Sequence, residues 1–181
     1  MGLYITIDGD NSGWVLPVAE RIGIVLGRDR SKVVTRAQNK NLDFKGIPIV
    51  GSIRELLDRY EYVLETESFL HTMAFNAHTK KRSLLQMWQF YRYVARVRLP
   101  DLAVVVIPPQ GFEHVANDGD TLRNQFFQIA ARFGDEVETL IVTETDILFP
   151  QREIGATERK ILEKIAEFKQ EATYGARTDV V

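Results

Sequence analysis

The segment Leu102–Ile107 is apolar throughout and stops at Pro108-Pro109. It is too short to span a membrane or to make an ordinary helix, and it is rich in β-branched residues. A strand that is apolar at every position must be covered on both faces. That happens in parallel sheets flanked by helices on either side, because an antiparallel sheet with one wet face alternates instead. Leu3-Tyr4-Ile5-Thr6-Ile7 opens the chain with the same character, and residues 139–142 repeat it near the end. Residues 32–36 read as a second strand. Tyr62-Val63-Leu64 reads as a third, or as an extended approach to the next helix.

Helical patterns lie between these runs. Val18, Ile22, Val25 and Leu26 share one face of a helix that stops at Gly27, and Pro17 suits its first turn, where a missing N–H costs nothing. Ser52 followed by Glu55 makes a capping box for a helix over 53–60. Residues 68–97 are long, aromatic and helical in pattern, with a polar cluster at 78–83 placed to break them. Residues 121–133 are amphipathic, and 157–172 form a last helix rich in Glu and Lys. Strands alternating with helices predict a three-layer α/β/α fold on a mainly parallel sheet, with one domain over 1–173 and a flexible tail over 174–181.

Composition narrows the function classes. With 181 residues, 45% hydrophobic, the chain can bury a core without staples. A net charge of −2 argues against bulk electrostatic binding to nucleic acid or anionic membrane. There is no cysteine, which excludes thiol catalysis and thiolate metal sites and favours a reducing compartment. No apolar run approaches a membrane span, and the N-terminus enters a strand pattern at once, so the expected location is the cytoplasm.

Parallel sheets bind ligands at the carboxyl ends of their strands. Asp8 and Asp10 follow the first strand, Arg36 the second, Glu65 and Glu67 the third, Gln110 the fourth, and Glu144 and Asp146 the fifth. The sharpest feature is the loop Gly9-Asp10-Asn11-Ser12-Gly13. A glycine-containing turn between a buried strand and a helix can aim backbone N–H groups at a phosphate. Asp8 and Asp10 would repel a bare phosphate but suit one held through Mg²⁺. The same residues also fit a tight turn with no ligand.

The order of these motifs resembles thymidylate kinase, of the P-loop nucleotide kinase superfamily. Ile5-Thr6-Ile7-Asp8-Gly9-Asp10-Asn11-Ser12-Gly13 is similar to the family's strand and acidic-Gly-x-Asp-Gly loop, and Val33-Val34-Thr35-Arg36 to its strand ending in Thr-Arg. Residues 46–57 are similar to its Gly-x-Pro-x-Gly-x-x-Ile-Arg-x-Leu-Leu segment, and Glu65-Thr66-Glu67 with His78 to its Glu-Thr-Glu helix start. Tyr91-Arg92-Tyr93 echoes Asp-Arg-Tyr, and Pro100-Asp101-Leu102 through Pro108-Pro109 matches its Pro-Asp-Leu strand. The resemblance implies a P-loop-kinase-like fold and a nucleotide such as ATP, with Mg²⁺. It implies catalytic roles for Asp8 and Arg92, and nucleotide contacts from Gly9, Asp10, Asn11, Ser12, Gly13 and Arg36. Asp8, Asp10 and Glu65 would be the metal ligands. Trp14, Val15 and Leu16 stand where the phosphate-loop lysine and hydroxyl belong, so the loop is degenerate.

Two further readings use the same residues. Asp8 and Asp10 would serve a Mg²⁺-dependent enzyme acting on phosphodiesters or nucleotides. The aromatic helix 84–97, with Trp88 and Phe90-Tyr91-Arg92-Tyr93, would serve as core or as the face of a homo-oligomer in a non-catalytic structural subunit. His71 and His78 are too few for a metal site, and Lys80-Lys81-Arg82 reads as solvated surface.

Overall fold

The structure is a computed structural model that describes residues 2–9, 12–35, 50–94, 97–107, 119–143 and 154–178. The strands are β1 (Leu3–Gly9), β2 (Ser31–Thr35), β3 (Tyr62–Thr66), β4 (Leu102–Ile107) and β5 (Thr139–Thr143). The α-helices are α1 (Ser12–Leu26), α2 (Val50–Arg59), α3 (Phe69–Lys80), α4 (Leu84–Gln89), α5 (Gly119–Phe133) and α6 (Ala156–Thr178). A π-helical turn, Phe90–Val94, continues α4. All five strands are parallel, in the order β2-β3-β1-β4-β5.

The expected three layers are present. Ile5, Ile7, Leu64, Leu102, Val104 and Val106 point to one side and pack under α1 and α6. Tyr4, Val63, Ala103 and Val105 point to the other and pack under α2, α3, α4 and α5. Alternate residues of β4 thus enter opposite cores, which is why its sequence shows no alternation. Arg21 of α1 pairs with the buried Glu158 of α6, and Thr157 Oγ1 donates to Thr143 O at 2.8 Å, fastening α6 over β5.

Tertiary packing moved several expected features. β3 is a full strand between β1 and β2. The first helix begins at Ser12, so Pro17 sits in its second turn, and its buried face is Val15, Val18, Ala19 and Ile22 while Val25 is exposed. α2 starts at Val50, which puts Ser52 inside the helix instead of at its cap. The 68–97 stretch breaks at Lys81, whose left-handed backbone (φ 49°) ends α3, and Ser83 then caps α4. α6 continues to Thr178.

Candidate functional site

β1 lies in the middle of the sheet. The connection leaving it runs to β2 on one side, whereas β4 continues to β5 on the other. The crevice between the carboxyl ends of β1 and β4 is therefore the topological switch point, where parallel α/β sheets seat ligands. Gly9 ends β1 there, paired with Val106. A Cβ at Gly9 would lie 2.5 Å from Val106 O and 2.8 Å from Val15 Cγ2, so the position has no room for a side chain. α1 starts at Ser12, directly after the turn.

Two groups from α3 hold the end of β1. Asp8 is buried, and its Oδ1 accepts from Ser68 N at 2.8 Å while its Oδ2 accepts from Ser68 Oγ at 2.6 Å. The Ser68 hydroxyl also accepts from Leu70 N at 3.0 Å and so caps α3. An anion at a helix N-terminus is favoured by the unpaired N–H groups and the helix dipole. His71 Nδ1 lies 3.1 Å from Gly9 O, and its ring is stacked near Phe75 and tilted against Phe126 of α5. Neither Ser68 nor His71 is among the residues expected from the loop motif. Ser68 was legible only as a helix start, because its contact with Asp8 depends on β3 lying beside β1.

Glu65 is paired in register with Thr6 and is buried on the same face as Asp8. The Tyr4 hydroxyl donates to its Oε2. Both expected carboxylate ligands among the described residues are thus hydrogen-bonded inside the fold. The described residues contain no group of three or more His, Asp or Glu placed to hold a metal ion. Hard carboxylate oxygens suit Mg²⁺, and Asp8 and Glu65 lie on one face of the sheet with these hydrogen-bond partners.

The expected site residues divide as follows. Asp8 and Gly9 end β1 at the switch point, and Ser12 and Gly13 open α1. Asp10, Asn11 and Arg36 lie outside the described residues. Arg92 is not brought to Asp8. It is half-exposed on the π-helical turn, and its Nε donates to Glu136 Oε2 at 3.2 Å. Glu136 lies in the turn leading into the amino end of β5, and the Trp88 indole N–H donates to its other oxygen at 3.0 Å. Arg92 thus serves the amino edge of the sheet, opposite the crevice. Trp88 and Tyr91 are buried in the α3–α5 core, while Phe90 and Tyr93 are exposed.

The amino edge carries two other polar features. Glu61 accepts from Arg30 Nε at 3.0 Å, Arg30 Nη2 at 2.7 Å and Lys169 Nζ at 2.7 Å. These hydrogen bonds, Arg30's first, hold its carboxyl at about 2. An open concavity of about 470 Å³ lies between the end of α1 and β2, lined by Ile24, Arg28, Lys32 and Tyr60 among others. It is far from the switch point.

No family model and no curated protein matches this chain. Among solved structures, the thymidylate kinase of Ehrlichia chaffeensis is similar, with a TM-score of 0.61 over 92% of this chain and 100% of that one, at 15% sequence identity. The likeness establishes a thymidylate-kinase-like, P-loop-kinase-like α/β fold, as the order of motifs implied. Among the described residues, no helix is long and apolar enough to cross a membrane.

Proposed function

We propose that this chain is a thymidylate-kinase-like nucleotide-binding protein that seats a nucleotide phosphate on the turn between β1 and α1. One observation carries the reading: at the switch point, a β1 end gripped by α3 at Asp8 and Gly9 is followed within three residues by the N-terminus of α1 at Ser12. Backbone N–H groups at a helix start favour an anion without any lysine. In this reading Gly9, Asp10, Asn11, Ser12, Gly13 and Arg36 surround the phosphates. Mg²⁺, arriving with a nucleotide such as ATP, would supply positive charge there, with Asp10 as its nearest carboxylate in sequence.

The site is proposed to bind far better than it catalyses. Phosphoryl transfer rests on fixed positive charge around the moving group, and Trp14, Val15 and Leu16 stand where P-loop enzymes carry the lysine and hydroxyl that supply and hold it. Asp8 is committed to Ser68, so its role is to shape the turn. Titration calorimetry with ATP and with dTMP, each with and without Mg²⁺, tests the binding. Saturable heat from at least one nucleotide is expected, and no saturable heat from any of them would end the reading. Turnover of ATP and dTMP at the roughly 1–100 s⁻¹ typical of kinases would overturn the claim of weak catalysis.

The exposed Leu85, Phe90 and Tyr93 support a companion reading, self-association through the aromatic helix. Sedimentation velocity of the wild type and a Phe90→Ser, Tyr93→Ser double variant tests it. A monomeric wild type would remove it.

A further inference from the structure

We infer that Ser68, the cap of α3, and His71 within it are positioning residues that fix the carboxyl end of β1, acting through Asp8 and Gly9. The binding arm of this inference rests on the nucleotide reading above.

The residues that grip the turn come from one short stretch. Glu67 has a left-handed backbone, φ 55°, although it is not glycine. Such a conformation is strained for a residue with a side chain and persists where the surroundings enforce it. Here it swings the chain from β3 into α3, so that the N–H and hydroxyl of Ser68 both meet the Asp8 carboxylate. Holding both oxygens fixes the rotation of the Asp8 side chain. One hydroxyl, fully buried, donates to Asp8 and accepts from Leu70 N, so the α3 cap and the carboxylate anchor are the same atom. One residue further along β1, the Gly9 carbonyl faces His71 Nδ1, which donates to it in the Nδ1–H tautomer.

Asp8 and Gly9 are the last described residues before the turn, and α1 starts at Ser12. The carboxyl end of β1 is therefore held from α3. An anion seated between this strand end and the start of α1 depends on α3 through two hydrogen-bonded links, without touching Ser68 or His71.

A purely structural cap would lower stability and nothing else, so the test holds stability constant. Ser68→Ala in the full chain is compared with Phe133→Leu, a core change at the amino-edge end of α5. Conditions are chosen so that the two variants melt equally far below the wild type. Hydrogen–deuterium exchange of the Gly9 and 12–15 amides is read without ligand, and affinity is read with MgATP as the probe. Ser68→Ala should speed exchange at those amides, and weaken MgATP binding, by about tenfold, the scale of a lost hydrogen bond to a charged group. Phe133→Leu should leave both within about twofold, and Ser68→Thr should restore both. Equal behaviour of Ser68→Ala and Phe133→Leu in exchange and affinity would overturn the inference. If the wild type binds no nucleotide, the nucleotide reading falls and the exchange comparison alone decides. If Ser68→Ala does not fold, His71→Ala against His71→Gln, whose amide can still donate to Gly9 O, carries the same comparison.

Discussion

Gly9→Ala separates two reasons for a glycine at this site. One is to let a phosphate approach the backbone; the other is to let two strands approach each other. The added Cβ would lie 2.5 Å from Val106 O and 2.8 Å from Val15 Cγ2. The valine methyl could swing aside, but the carbonyl belongs to β4, paired with Gly9 in the sheet. Relief requires parting β1 from β4 at their carboxyl ends. Overpacking costs about 1–3 kcal/mol, and a disturbed ladder bond adds about 1 kcal/mol. A total near 3 kcal/mol corresponds to a melting point lower by roughly 6–12 °C for a chain of this size. Gly23→Ala is the matched control. There the Cβ would meet only side-chain atoms, Val33 Cγ2 at 3.0 Å and Leu64 Cδ1 and Ser31 Oγ at 3.5 Å. Inside a helix alanine also gains up to about 1 kcal/mol over glycine, so Gly23→Ala should be near neutral. Calorimetric melting without ligand reads both. A Gly9→Ala protein melting within about 2 °C of wild type, or above Gly23→Ala, would refute strand packing as the reason for Gly9.

Other predictions follow from the same geometry. Asp8→Ala, which strands the buried N–H and hydroxyl of Ser68, should cost about 2–4 kcal/mol in urea unfolding, and Asp8→Asn, which still accepts one of those bonds, should cost less. Trp88→Ala removes an indole stacked 4.2 Å from Phe133 and should cost about 3–5 kcal/mol by the same measurement. Glu61 has a folded pKa depressed from 4.5 to about 2, so its contribution is fully present above pH 4.5 and is lost as the pH falls through about 2. The melting-point gap between wild type and Glu61→Gln should accordingly be constant near neutrality and shrink in acid. Arg92→Ala cuts an exposed pair at the amino edge, so it should leave nucleotide affinity within about twofold and cost under about 1 kcal/mol of stability.

The elements that could be read from the sequence are those whose signal is local. Leu102–Ile107 appears at the predicted bounds because its burial on both faces is written in every residue. The end of α5 at Phe133 follows from an amphipathic period that runs out at Gly134. The start of α2 was misplaced because Ser52 and Glu55 have the spacing of a cap, yet the helix extends back to Val50. Asp8 and Gly9 could be found from the strand-turn-helix pattern alone. Ser68, sixty residues from Asp8, could not be paired with it without knowing that β3 lies against β1. Arg92 shows the reverse case, a residue whose partner, Glu136, no local pattern names. A short echo of a motif suggested phosphate contact, but nothing local says which edge of the sheet the π-helical turn will face.

The central place of β1 has a consequence for how the molecule is made. β1 gains its neighbours only when Tyr62–Thr66 and then Leu102–Ile107 have been synthesised after it. Its amino end is fixed by Asp101, which accepts from Tyr4 N at 2.7 Å and donates its own N–H to Tyr4 O at 2.8 Å across a separation of 97 residues. Pairings of such long range are slow to form, and a waiting apolar strand is open to wrong partners. During synthesis β1 waits as a hydrophobic ribbon for both of its sheet partners, and a chain halted before Asp101 should aggregate instead of folding.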